Sequence, residues 1–157
     1  MQLYVMAIFV ISSLDFANFK CSSGSLSNLE DDATFAWSDS KKASCMAAAA
    51  LADLSGGSAD QSVGAASMAL QNTIGLVCDP VADRVEVPCL GRNVAAGLNA
   101  LGTSTMALSG FNEVIPFDQV LDAVIQVGRS IPFPLRCTGK GRLSVTAKSR
   151  ELKKNNR

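Results

Sequence analysis

The stretch Ala43-Ser-Cys-Met-Ala-Ala-Ala-Ala-Leu-Ala-Asp-Leu54, followed by Ser55-Gly56-Gly57, decides the fold class. Alanine has the highest helix propensity of all residues, so this run predicts a helix over residues 42–54. The two glycines are a typical C-terminal stop signal. Ser58 then begins a second helix, because Gln61 three residues later completes a capping box. Two consecutive helices are therefore predicted here.

Two further helices are predicted beyond residue 90. Residues 93–108 are rich in small side chains, and residues from Pro116 onward carry apolar side chains at helical spacing, with proline at the helix start. Small residues around Gly64 in the second helix favour close approach between helices. The sequence thus predicts an all-α, small-residue-rich helical domain with a cysteine-bearing loop between helices, and no internal repeat.

The composition favours a compact protein with an apolar core. The chain has 157 residues, of which 48% are hydrophobic and 18% charged, and its formal net charge is zero. These values exclude a disordered chain and a protein that coats nucleic acid. From Arg136 onward there are eight Lys or Arg residues and one acid, Glu151. We expect this basic end to be a solvated tail.

The first 41 residues do not continue the helical pattern. The apolar run at residues 3–14 is too short for a transmembrane helix, has no preceding Lys or Arg and lacks a following Ala-x-Ala site. We expect it to be a buried strand or helix, or else a segment that does not belong to the fold. The predicted organisation is a divergent, poorly ordered segment at 1–41, a helical domain at 42–146 and a basic tail at 147–157.

The cysteines indicate a reducing compartment. Their number is odd, their spacings are wide, and the chain is larger than the usual disulfide-stapled scaffold. We therefore expect a cytoplasmic protein whose thiols are free or bind a metal, with no histidine available to help them. The five are Cys21, Cys45, Cys78, Cys89 and Cys137.

The segment Cys78-Asp-Pro-Val-Ala-Asp-Arg-Val-Glu-Val-Pro-Cys89 is the main candidate site. Pro80 and Pro88 stiffen it and disfavour helix in the residues before them. A stiff loop with a thiol at each end suits an iron–sulfur cluster, but it suits a disulfide or two unrelated buried thiols as well. The spacing is neither a ferredoxin nor a zinc-finger signature.

The surrounding residues resemble a known family. The strings Gly75-Leu-Val-Cys-Asp-Pro-Val-Ala82, Val87-Pro-Cys-Leu-Gly-Arg-Asn93 and Leu135-Arg-Cys-Thr-Gly-Lys-Gly-Arg-Leu-Ser-Val-Thr146 are similar to the iron–sulfur-dependent L-serine dehydratases. The resemblance is to the C-terminal part of the alpha chain or domain and covers about residues 42–150. It implies a partial copy of an all-helical catalytic domain that carries a [4Fe–4S] cluster on three cysteines. Cys78 and Cys89 would be two of these ligands.

The resemblance also implies a lyase activity. In the family the open iron acts as a Lewis acid on the serine hydroxyl, and L-serine becomes pyruvate and ammonia. No catalytic base can be named in this sequence. The implied partners are L-serine and either a beta chain or domain or the missing part of the alpha domain, with no nucleic acid or membrane partner. We expect the activity to be incomplete in the isolated chain.

The third cluster ligand is missing from its expected place. The family motif Gly-Cys-Gln-x-Glu would put a cysteine at Ala36, and only Asp39 resembles the motif's Glu. Cys45 and Cys21 are candidate substitutes, although we expect neither to bind iron. The alternative function is therefore a catalytically inactive fragment or helical binding module that keeps the fold core without a cluster, and a zinc-binding module is a third reading.

Two further residues in the last family string stand out. Cys137 follows Arg136 in a glycine-rich loop, and we expect it to be an ordinary loop thiol. Arg142 stands where the family pattern has glycine. We expect its side chain to block a turn that requires a positive φ.

Overall fold

The structure, a computed structural model, describes residues 39–84 and 86–155. Over these residues the chain is helical, without a strand and with two isolated bridges. This confirms the predicted all-α class. The helices are α1 (Asp39–Leu54), α2 (Ala59–Gln71), α3 (Gly91–Leu108), α4 (Phe117–Ser130) and α5 (Ala147–Asn155). The apolar run at 3–14, Cys21 and position 36 lie outside the described residues.

The junction between α1 and α2 forms as the sequence predicts. Gly56 adopts a φ of 84°, in the left-handed region, and Gly57 donates its N–H to the carbonyl of Ala52 at 2.9 Å. The Ser58 hydroxyl accepts the N–H of Gln61 at 3.2 Å, and the Gln61 side chain accepts the N–H of Ser58 at 2.9 Å. The capping box is therefore confirmed, and it fixes the start of α2.

Helices α1, α2 and α3 pack against one another through small side chains. Because alanine adds little bulk, the three helix backbones come close together over this contact. The buried cluster that joins them consists of Ala48, Ala52, Ala65, Met68, Ala69, Ala100 and Ala107. A second cluster attaches α4 to α1 and α2, and it consists of Cys45, Ala66, Leu70, Val120 and Val124.

A polar network lies among the same three helices. The side-chain amide of Asn99 donates to the Ser44 hydroxyl at 2.9 Å and to the Ala69 carbonyl at 3.0 Å. Asn72 donates to the Asn99 side-chain oxygen at 2.8 Å, and Ser44 donates to the Ala96 carbonyl at 2.9 Å. Each buried polar group in this network thus has a partner, which stabilises one arrangement of the helices.

Helix α3 buries its small residues and exposes its large ones. Ala96 and Ala100 are buried against α1 and α2, whereas Val94, Leu98 and Leu101 are 60%, 66% and 56% exposed. This is the reverse of an ordinary amphipathic surface helix. None of the helices in the described ranges has the length and apolar character that crossing a membrane requires.

Most of the expected basic tail forms helix α5. Ser149 in this helix is buried, and its hydroxyl accepts the N–H of Ala82 at 2.9 Å. Lys153 forms an ion pair with Asp83 at 2.5 Å. These contacts lie on the loop after Cys78, so the segment is docked against that loop, and its lysines are not all directed to solvent.

Candidate metal centre

Cys78 and Cys89 lie on two different backbone segments that meet next to the start of α3. Cys78 follows the turn at the end of α2, and its N–H donates to the Leu135 carbonyl at 3.1 Å. Cys89 lies in a wide helical turn, Glu86–Leu90, that leads directly into α3. Within this turn Val87 has an extended backbone, with φ of −131° and ψ of 119°. The turn into α3 therefore holds Cys89, and the backbone contact with Leu135 holds Cys78.

The structure brings these two thiols side by side. Both are free and partly buried. Burial raises the pKa of Cys78 to about 11, and the neighbouring Cys89 adds to this rise through its charge and a side-chain hydrogen bond. The segment between them thus folds back on itself, and the amide of Val81 donates to the Val87 carbonyl at 2.9 Å. The sequence identified this pair but could not show that the thiols meet.

One cationic side chain, Arg92, lies beside the thiol pair, and a second, Lys41, lies near Arg92; the sequence indicated a role for neither. Arg92, in the first turn of α3, donates to the Val77 carbonyl, and its charge lowers the pKa of Cys78 against the effect of burial. Lys41 on α1 is only 2% exposed, and burial together with the charge of Arg92 lowers its pKa. The charge of Arg92 thus offsets part of the effect of burial, although the pKa of Cys78 stays above its ordinary value.

Asp79, directly after Cys78, is a further residue to which the sequence analysis gave no role. Its carboxylate is buried and accepts the N–H of Leu143 at 2.5 Å and the N–H of Ser144 at 3.3 Å. A Cβ atom added at Gly141 would collide with this carboxylate, so only glycine fits there. The signal available in the sequence was the position of Asp79 beside the cysteine, inside a family string.

The expectation that Arg142 blocks a turn requiring a positive φ was wrong. Its side chain is exposed, and it is not among the described non-glycine residues with positive φ. Those residues are Ala82, Asp83, Val114 and Cys137. The steric demand for glycine in this loop falls on the preceding residue, Gly141, because that residue touches Asp79.

The other cysteines do not join the pair as thiols. Cys45 is buried in the second core cluster, and desolvation raises its pKa to about 11. It behaves there as a small apolar side chain. Cys137 touches the site through its backbone, because its N–H donates to the Cys78 carbonyl at 2.8 Å. It is not a free thiol, so the expectation of an ordinary loop thiol was wrong.

The residues present fit part of a thiolate-bound cluster. Two adjacent free thiols beside an arginine are the soft donors that iron–sulfur clusters, zinc and copper prefer. Across residues 39–84 and 86–155, however, no group of three or more His, Cys, Asp or Glu side chains is arranged to hold a metal ion. Within these ranges the pair offers two thiol donors, and a metal group with three protein ligands would need one from elsewhere.

The fold and the site together define an all-helical domain with a paired-thiol centre at the start of a helix. Residues 41–144 match the protein family described as "Serine dehydratase alpha chain", which covers more than half of the sequence. The chain belongs to this family, whose curated members carry the names of L-serine dehydratases, and the predicted resemblance is confirmed.

Curated relatives are similar over the same region. The "Probable L-serine dehydratase, alpha chain" of Bacillus subtilis is 48% identical over 112 residues, which are 71% of this chain and 37% of the relative. The protein of the same name from Latilactobacillus sakei is 48% identical over 111 residues, 71% of this chain and 53% of the relative. "L-serine dehydratase 1" of Escherichia coli is 38% identical over 101 residues, 64% of this chain and 22% of the relative. The chain thus spans about half or less of each of these proteins.

Proposed function

We propose that this chain is the part of an L-serine dehydratase alpha chain that carries two thiolate ligands, Cys78 and Cys89, of a [4Fe–4S] cluster. The observation that carries the proposal is the contact between two free thiols inside the family match. The proposed reaction is the conversion of L-serine to pyruvate and ammonia. The third ligand and the substrate contacts are supplied from outside the described residues, by the rest of an alpha domain or by a beta chain or domain.

The residues around the thiols suit this role. When bound, the cluster supplies a Lewis-acidic iron that makes the serine hydroxyl a better leaving group. Arg92 places positive charge beside the thiol of Cys78 and holds the Val77 carbonyl. Helix α3 fixes Cys89 through the turn that leads into it. Partial burial of both cysteines limits access of water to the group they hold.

Anaerobic reconstitution with iron and sulfide tests the proposal. The purified chain will become brown and bind iron, with roughly four irons in each loaded protein, as a [4Fe–4S] cluster requires. Cys78→Ala and Cys89→Ala will each lose most of this iron, because one thiolate is insufficient to hold a cluster. The measurements are iron and sulfide content and the visible absorption spectrum.

Cys45→Ala is the matched control for this experiment. It removes a thiol from the core and leaves the paired thiols in place, so iron binding will stay at the level of the unchanged chain. Equal iron content in the chain and in Cys78→Ala, or no cluster absorbance in any variant, would contradict the proposal. Zinc bound in place of iron with the same dependence on both cysteines would instead indicate the zinc-binding module.

A second candidate function is a helical binding module without a cluster. The observation in its favour is the absence, within the described ranges, of a third residue arranged as a metal ligand. Under this alternative the helical core persists and the two thiols are buried neighbours without a ligand. Unchanged thermal stability after attempted reconstitution, with all iron removed by desalting, would favour it.

A further inference from the structure

The loop that carries Cys78 is held along its length by a late part of the chain. We call residues 78–83 the Cys78 arm and residues 135–153 the C-terminal segment. At one end of the arm, the N–H of Cys78 donates to the Leu135 carbonyl at 3.1 Å and the Cys78 carbonyl accepts the N–H of Cys137 at 2.8 Å. At the other end, Ala82 donates its N–H to the Ser149 hydroxyl at 2.9 Å. The arm therefore depends on residues more than 50 positions away.

Asp79 makes the central contact between the arm and the C-terminal segment. Its carboxylate is 2% exposed and accepts the backbone N–H groups of Leu143 and Ser144. The Ser144 hydroxyl reaches the same carboxylate and lies 2.6 Å from the Pro80 carbonyl. A buried carboxylate is tolerated only where such donors satisfy it, and hydrogen bonds to a charged acceptor are among the stronger ones. Gly141 leaves the space that this arrangement needs.

The second thiol is held by different contacts. Cys89 is fixed through the wide turn into α3, and the Val81–Val87 hydrogen bond is a direct backbone link between the arm and that turn. The relative position of the two sulfurs thus depends on how firmly the arm is held on its own side. Arg92 holds it before Cys78 through the Val77 carbonyl, and Asp79 holds it after Cys78.

We propose that Asp79 is the positioning residue of the thiol pair. By accepting hydrogen bonds from residues 143–144, it holds the Cys78 arm so that the Cys78 thiol faces Cys89. The Asp79 carboxylate is engaged by these bonds, so it acts through the position of the Cys78 arm. The proposal rests on the proposed function only for what the pair binds, because the placement of the two thiols can be measured without any cluster.

A trivalent arsenical, phenylarsine oxide, tests the placement directly, since it bridges two thiols only when they are close. The reduced chain will bind one arsenical between Cys78 and Cys89. Trypsin cleaves after Arg84, so the bridge will join the peptides 43–84 and 85–92 in mass spectrometry. The Cys45→Ala background removes the second cysteine from the first of these peptides.

In Asp79→Ala the affinity for the arsenical will fall by about tenfold or more, since the loss of charge-assisted hydrogen bonds frees the arm. Asp79→Asn keeps one acceptor oxygen and will restore part of the affinity. Asp122→Ala, which removes an exposed carboxylate on α4, will change nothing. All variants are compared at a temperature where circular dichroism shows full helix content.

If Asp79→Ala does not fold, Asp79→Asn provides the main test, and Ser144→Ala supports it by removing the hydroxyl that reaches both the Asp79 carboxylate and the Pro80 carbonyl. Arsenical affinity within about twofold of the unchanged chain in the variant tested would overturn the positioning role, since a change this small is less than one lost hydrogen bond.

The two proposals fail in different ways. Loss of bridging in Asp79→Ala, without any iron binding by the unchanged chain, supports the positioning role and contradicts the cluster. Iron binding by the unchanged chain, with unaltered bridging in Asp79→Ala, supports the cluster and contradicts the positioning role.

Discussion

Cys45 shows what a buried thiol does when it is not at the site. Desolvation raises its pKa from 9.0 to about 11, so its neutral form is favoured in the folded state. A group whose pKa is raised on folding contributes stability below its unfolded pKa and loses it as the pH rises through the folded value. Cys45 therefore makes the fold weaker between about pH 9 and pH 11.

We expect Cys45→Ala to reduce this alkaline sensitivity. The unchanged chain will lose up to about 2–3 kcal/mol more unfolding free energy than the variant between pH 8 and pH 11, because the alanine has no proton to lose. Urea unfolding followed by circular dichroism at several pH values measures this difference. Parallel pH curves for the two proteins would contradict the prediction.

At the scale of single residues, the sequence identified the candidate thiol pair but not the residues that hold it in place. Cys78 and Cys89 were found because rare residues stand around them at fixed spacing. The sequence did not indicate a role for Asp79 or Lys41. Their neighbours in the fold are distant in the sequence, and no local pattern reveals such contacts. The bonds of Asp79 to Leu143 and Ser144 span 64 and 65 positions.

At the scale of elements, α3 buries small side chains and exposes large apolar ones. Ala100 is 1% exposed, and Leu98 on the same helix is 66% exposed. Ala100→Leu will destabilise the protein by roughly 1–3 kcal/mol, because the contact with α1 and α2 has no room for a larger side chain. Leu98→Gln will change stability by about 0.5 kcal/mol or less, as expected for an exposed position. Chemical denaturation of the two variants measures both effects.

Gly97→Ala is the control for substitutions in this helix. Nothing lies within 4 Å of a Cβ atom at Gly97, so the added methyl group will raise stability by up to about 1 kcal/mol through helix propensity alone. A large loss of stability in Leu98→Gln, similar to that of Ala100→Leu, would contradict the prediction. It would show that the exposed apolar side chains of α3, among them Leu98, are covered in solution.

The helix boundaries were largely predictable, and the faces of α3 were not. Glycines, a capping box and prolines mark where α1, α2 and α4 begin or end, and these signals act locally. In α3 the small residues follow no amphipathic pattern that separates inside from outside. Its buried face is decided by the alanines of α1 and α2, which are contributed by other parts of the chain.

At the scale of the whole molecule, the chain contains the paired thiols without a third ligand in its described ranges. We expect the purified chain to form no pyruvate from L-serine, even after treatment with iron and sulfide, because a dehydratase needs a fully held cluster and substrate contacts. A coupled lactate dehydrogenase assay measures pyruvate, with a full-length relative as the positive control. Pyruvate above the blank that depends on Cys78 would contradict this expectation and would mean that the chain contains a complete site.

The contacts of the Cys78 arm with α5 also determine the order of events during synthesis. Ala82 bonds to a side chain 67 positions later, and Asp83 pairs with Lys153. Ribosomes add about 5–20 residues each second, so the arm exists for several seconds before its partners do. Helices α1 to α3 can associate in that interval, while the Cys78 loop still lacks its final contacts. The thiol pair is therefore among the last parts of the domain to reach its final geometry, and under the proposed function a cluster would be delivered only after translation of α5.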